Sequence, residues 1–115
     1  MYKNITISDF YQASLEEKIT IIDVREGYEF DYGHVPGAVN LPLSEFEGYE
    51  KLLSKDTPYH IICQAGVRSV QACKFLDAQG YDVTNVMEGT GAWPGNWSKL
   101  IKQRYHGFIE MKPIS

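Results

Sequence analysis

Apolar positions along the chain switch between two periods. Short contiguous runs rich in Ile and Val alternate with longer stretches in which apolar residues return every three or four positions. Ile5 and Ile7 mark a brief first strand at residues 5–7, with Ser8 placed to cap a helix to about Leu15. Residues 19–24 carry four Ile or Val in six positions and predict a buried strand. The acids and aromatics of residues 25–33 suit a short helix or turn, and Pro36-Gly37 is a turn signal. Residues 38–41 form a short strand before Pro42, and Ser44 is placed to cap a helix to about Leu53. The next strand spans residues 59–63, with Ile61 and Ile62 buried and Cys63 at its carboxyl end. From Arg68 to Gln79 the residues Val70, Cys73, Phe75 and Leu76 recur near helical spacing, and Gly80 stands where a left-handed helix stop needs glycine. Residues 82–87 are the last core strand, followed by a turn at 88–91 and a short helix around 93–97. Trp97, Leu100, Ile101 and Tyr105 can share one further helical face. Strands alternating with helices predict an α/β fold around a mostly parallel sheet.

Length and composition narrow the class. A chain of 115 residues fits one domain, and 43% hydrophobic with 23% charged residues is ordinary globular usage. The net charge of −4 repels nucleic acid and anionic membrane surfaces, so neither is an expected partner. Charge is uneven: residues 98–115 hold Lys99, Lys102, Arg104 and Lys112 against Glu110, or +3, which leaves −7 elsewhere. This basic tail reads as a solvated face that could also serve as a contact surface. No run approaches the roughly 18–20 apolar residues that cross a bilayer, and residues 1–10 lack a secretory pattern, so a cytoplasmic location is expected. Cys63 and Cys73 fit neither a CxxC pair nor a zinc pattern, and both are expected as free thiols. The histidines His34, His60 and His106 are too scattered for a zinc site, and no cofactor is expected.

The chemistry concentrates in Cys63-Gln64-Ala65-Gly66-Val67-Arg68, which leads from a buried strand into a helix. In open α/β sheets that carboxyl edge is where ligands bind. Gly66 permits a sharp turn, so loop amides at the helix N-terminus can point inward as an anion nest with Cys63 at its base. Such dipoles, with Arg68 nearby, favour a thiolate and can hold the charge of a persulfide while orienting thiosulfate or a 3-mercapto acid. A lone strand-end cysteine is by default a core residue; the glycine turn and Arg68 shift the reading to a functional thiol. Cys73, beside Ala72 on the apolar helix face, reads as core.

Ile21-Ile22-Asp23-Val24-Arg25-Glu26-Gly27-Tyr28-Glu29-Phe30, followed by Gly33-His34-Val35-Pro36-Gly37-Ala38-Val39-Asn40-Leu41-Pro42, resembles the signature that opens rhodanese domains. Cys63 through Ser69 is similar to the family's catalytic loop, Gly80-Tyr81 to its post-helix turn and Gly89 through Trp93 to its closing glycine-tryptophan motif. The resemblance covers residues 5–97, giving a rhodanese-like domain at 1–97 and a C-terminal extension at 98–115. It implies a five-stranded, mostly parallel sheet flanked by helices on both faces, with Cys63 as sulfur-accepting nucleophile and Arg68 beside the cradle. The substrate-binding loop is Gln64, Ala65, Gly66, Val67 and Arg68, and Asp23 and Arg25 brace it or cap local structure. His34 reads as a turn-bracing hydrogen-bonder. One departure is Thr90, where the closing motif usually has a second glycine, so the turn conformation there is open.

The expected activity is sulfur transfer from a small donor, thiosulfate or a mercapto acid, to a thiol or cyanide acceptor through a Cys63 persulfide. A sulfur-carrier or docking module with protein donors and acceptors is the alternative. A phosphatase or arsenate reductase is disfavoured, because those relatives resemble Cys-x5-Arg whereas four residues separate Cys63 from Arg68. Residues 64–67 also offer no carboxylate as general acid.

Overall fold

The computed structural model describes residues 1–99. The expected helical face of Leu100, Ile101 and Tyr105, and the basic tail after Lys99, lie outside the described residues.

Five strands form one parallel sheet: β1 (Lys3–Ile5), β2 (Thr20–Asp23), β3 (Val39–Asn40), β4 (Tyr59–Ile62) and β5 (Val83–Val86), in spatial order β1-β5-β4-β2-β3. Because successive strand residues face opposite sides, Ile21 and Ile62 point to one face while Ile22 and Ile61 point to the other. The first face is covered by α1 (Ile7–Glu16) through Phe10 and by α2 (Gly27–Tyr32) through Phe30, with Val86 and Trp93. The second is covered by α4 (Val67–Ala78) through Ala72, Cys73 and Leu76, with Phe46 of the short helix α3 (Phe46–Tyr49). Both faces are therefore apolar, as a parallel sheet requires. The chain is an α/β fold whose strand ends Asp23, Ile62 and Val86 lie along one carboxyl edge.

Strands β2 to β5 are each shorter than expected by one to two residues, and three local boundaries differ more. The first strand ends at Ile5 and Thr6, not Ser8, caps α1, its hydroxyl accepting from Asp9 N–H at 3.1 Å. Pairing of Ile5 with Val86 fixes where the chain leaves the sheet. The helix expected from Ser44 to Leu53 is broken into 3-10 turns at Leu43–Glu45 and Glu50–Leu52 around α3, because Glu47 and Gly48 leave helical geometry and Gly48 has φ of 99°. Ser44 instead donates to Glu26 Oε1 at 2.7 Å, from the hydroxyl. The short helix expected near 93–97 is a 3-10 turn at Thr90–Ala92. Trp93 is already extended, since Pro94 keeps the residue before it out of helical geometry. The helix over residues 68–79 is found at Val67–Ala78, with Gly80 at φ of 91°. Among the described residues no helix is long and apolar enough to cross a membrane.

His60 on β4 packs against Phe10, ring centroids 5.6 Å apart, and its buried Nδ1 has no hydrogen-bond partner among the described residues. Burial pushes its pKa below the ordinary 6.5, since the imidazolium is poorly solvated there. The unfolded chain then takes up a proton first as pH falls. Stability from the neutral ring is full above 6.5 and declines as pH drops through it toward the lower folded value. Urea midpoints measured between about pH 7.5 and about pH 5 should fall more steeply for the wild type than for His60→Phe. Equal slopes would remove His60 from the account.

Candidate active site

Cys63 follows β4 at the carboxyl edge of the sheet and is 1% exposed. The chain then turns at Gly66, whose φ of 91° is left-handed and whose place admits no side chain, since a Cβ there would collide with the carbonyl of Met87. A second close approach holds the loop from the other side. At Gly89, φ 77°, a Cβ would lie 2.6 Å from the Gln64 carbonyl oxygen. Thr90 N–H donates to Cys63 O at 2.7 Å and Gly91 N–H to Gln64 O at 3.0 Å, so the first two loop carbonyls are taken up by the 89–91 turn.

The sulfur faces the other side of the loop. Gly66 N–H donates to Cys63 Sγ at 3.0 Å, and Ser69 Oγ, in the first turn of α4, lies 3.3 Å from it. A ring of several inward amides was the expectation; among the described residues Gly66 is the one amide that donates to the sulfur. The left-handed turn at Gly66 explains this, because it swings that single N–H back toward Sγ. Gln64, Ala65 and Val67 are exposed above the buried thiol.

Asp23 and Arg25 form a buried ion pair below the loop, at 0% and 4% exposure. Arg25 Nε donates to both Asp23 oxygens at 3.1 Å and Nη2 to Oδ2 at 2.9 Å. Its remaining donors reach Gly33 O at 2.8 Å and Gln64 Oε1 at 3.3 Å, so one guanidinium ties the end of β2 to the loop. Asn40 Nδ2 donates to the carbonyls of Asp23 and Arg25 at 2.9 and 2.8 Å, fixing the same segment.

The Arg68 guanidinium, expected beside the sulfur, is engaged by Glu29 while its charge still couples to Cys63. It makes two hydrogen bonds to Glu29 on α2, Nη1 to Oε1 at 2.7 Å and Nη2 to Oε2 at 2.9 Å. That pairing holds the Glu29 carboxyl below the usual carboxylate range and raises the Arg68 guanidinium further. His34 is fully buried, its Nδ1 2.7 Å from Phe30 O and its ring stacked on Phe30 at 3.6 Å, a bracing position away from the loop. Burial pushes the Cys73 thiol up to about 12.

Glu29 and Ser69 received no role from the sequence. Glu29 could have been found from the Glu26-x-x-Glu29 spacing, which forms a capping box with Glu26 N–H donating to Glu29 Oε1 at 3.0 Å. Ser69 could have been found as the polar residue in the first turn of α4, beneath the strand-end cysteine. Beside the loop, a hollow of about 470 Å³ is lined by Arg25, Tyr32, Gly33, Gln64, Trp97 and Lys99. A smaller one of about 280 Å³, sharing Arg25, Tyr32 and Gln64, reaches Glu29 and Tyr28.

Removing Arg25 would leave the Asp23 carboxylate buried and uncompensated. Arg25→Met should therefore lower unfolding stability by about 3 kcal/mol in urea titration, whereas exposed Lys99→Met should change it by under about 0.5 kcal/mol. An unchanged midpoint for Arg25→Met would mean that the pair does not anchor this edge.

Comparison with known proteins agrees with the geometry. The rhodanese-like domain pattern matches residues 6–96. A Bacillus subtilis protein named "Putative sulfurtransferase YtwF" is 39% identical over 95 residues, covering 77% of this chain and 92% of that protein. The "Thiosulfate sulfurtransferase GlpE" of Shewanella oneidensis is 29% identical over 93 residues, covering 80% and 92%. Among solved structures, a rhodanese-related protein from Thermoplasma volcanium superposes with a TM-score of 0.79 at 31% identity, covering 85% of this chain and 99% of that one. With residues 6–96 matched by the family pattern, this protein belongs to the rhodanese-like domain family.

Proposed function

We propose that the protein is a sulfurtransferase in which Cys63 takes sulfane sulfur from a small donor such as thiosulfate and passes it to a thiophilic acceptor. The observation that carries this reading is the placement of Cys63 Sγ at a strand end, 3.0 Å from the Gly66 amide and 3.3 Å from the Ser69 hydroxyl. Those two groups give the sulfur polar contacts that can bear negative charge. In the first half-reaction Sγ attacks the donor's outer sulfur; the donor's sulfur–sulfur bond breaks and sulfite leaves with the electron pair. In the second, the acceptor attacks the outer sulfur of the persulfide and Cys63 is released.

Residues 64–68 form the substrate-binding loop in this reading. Asp23 and Arg25 act through Gln64 as a brace, and Arg68 sets the charge at the rim. Sγ is buried beneath an exposed loop, so a slim sulfane sulfur suits it better than a tetrahedral phosphate. The four-residue spacing from Cys63 to Arg68 supports the same preference. A reducing cytoplasm would keep both cysteines as the free thiols seen here. A carrier role, with protein donors and acceptors, has one specific support: the Bacillus subtilis "Putative sulfur carrier protein YrkF" is 38% identical over 93 residues, which cover 50% of that protein.

Intact and peptide mass spectrometry after thiosulfate treatment should show one added sulfur atom on Cys63 and none on Cys73, whose high pKa keeps it a thiol. Cys63→Ser should abolish transfer to cyanide, and Cys73→Ser should retain it. Sulfur found on Cys73, or an active Cys63→Ser, would overturn the assignment. Aryl phosphate hydrolysis lost in Cys63→Ser would point to a phosphatase instead.

A further inference from the structure

The charges at the mouth of the loop are balanced pair by pair. Arg25 is held by Asp23, and both terminal nitrogens of Arg68 are held by Glu29. Glu29 is itself fixed by Glu26 N–H, so releasing Arg68 to a substrate would leave a held carboxylate facing the same mouth. A doubly charged donor therefore meets no surplus cation in these two pairs, and it can draw on Arg68 only by leaving the Glu29 carboxylate unpaired at the same mouth. Lys99, in the wall of the larger hollow, adds one positive charge; its Nζ lies 6.0 Å from the Tyr32 ring centroid.

That hollow is also far larger than an inorganic donor needs. Its volume is about 470 Å³, and its walls include Tyr32 at 85% and Trp97 at 47% exposure, two aromatic rings left open to solvent beside Gln64. Aromatic faces and, among the described residues, Lys99 beyond the paired arginines suit an organic group attached to a singly charged sulfur.

We propose that the rim selects a monoanionic organic sulfane donor over the thiosulfate dianion, with Glu29 turning away the second charge and the Tyr32–Trp97 hollow seating the organic group. This deepens the transfer reading and rests on it. For a thiosulfonate, Cys63 Sγ, its proton given to solvent, attacks the outer sulfur. The donor's sulfur–sulfur bond breaks, its electron pair leaves on the sulfinate, and the new bond leaves a persulfide anion on Cys63.

The test is the second-order rate of Cys63 persulfide formation in the full chain, read by quenched intact-mass spectrometry. The donors are thiosulfate, methanethiosulfonate and benzenethiosulfonate; comparing each variant with wild type donor by donor cancels intrinsic reactivity. Glu29→Gln should raise thiosulfate loading about tenfold and methanethiosulfonate loading no more than about threefold. Tyr32→Ala should lower benzenethiosulfonate loading about fivefold and leave methanethiosulfonate within about twofold. A merely structural Glu29 would shift all donors by one factor. Equal factors for the two charges, or for the two organic groups, overturn the proposal while leaving transfer intact. Failure of all three donors to load wild-type Cys63 sinks the transfer reading, and this one with it.

Discussion

Two loop backbones can approach as closely as these do only where a side chain is missing, and that constraint fixes the position of the Cys63 sulfur here. Gly66 lies on the Met87 carbonyl, and Gly89 lies on the carbonyls of Cys63 and Gln64. The loop after β4 is thereby clamped between the end of β5 and its own helix. Its outer carbonyls are satisfied by Thr90 and Gly91, and the Gly66 amide is turned to Cys63. Thr90 fits this clamp because the left-handed position falls on Gly89, while Thr90 starts an ordinary 3-10 turn. A second glycine at 90 is not needed for the backbone path.

The ion pairs serve position more than stability. A buried pair such as Asp23 and Arg25 recovers roughly what its desolvation costs, so its effect is felt mainly when one member is lost. What the pair provides is geometry, since Arg25 spans Asp23, Gly33 and Gln64 with separate donors. The pair at Arg68 and Glu29 is partly exposed and contributes less to folding. It joins the first turn of α4 to α2, and so sets both the charge of the rim and the distance across it.

Much of this was legible in the sequence because it follows from periodicity and from glycine. The Ile and Val of residues 19–24 and the Ile61-Ile62 pair of residues 59–63 gave the central strands, and the strand-to-helix passage at Cys63 gave the candidate site. The boundaries that failed depend on interactions between distant segments. Thr6 caps α1 because Ile5 pairs with Val86, and Ser44 is drawn to Glu26 instead of starting a helix. Glu29 was read as one acid in an acidic turn, since nothing local announces a partner that lies 39 residues away. Arg68 was expected beside the cradle, and its charge does couple to Cys63; its hydrogen bonds go to Glu29 because the direction of a long side chain is decided by the nearest opposite charge.

The two cysteines show why burial alone cannot locate chemistry. Cys63 and Cys73 belong to the same apolar cluster, at 1% and 0% exposure, and by accessibility they are the same residue. Cys73 sits in the middle of α4 among Ala72 and Leu76, and with its charged form so poorly solvated its pKa of about 12 leaves it protonated at neutral pH. Cys63 stands at the last point where the sheet still buries the chain. There the backbone has just left its strand, and its donors are released from the ladder. One of those released amides and one hydroxyl close on the sulfur, which is a contact that neither a strand interior nor a helix interior can supply, because in both the amides are already paired along the backbone.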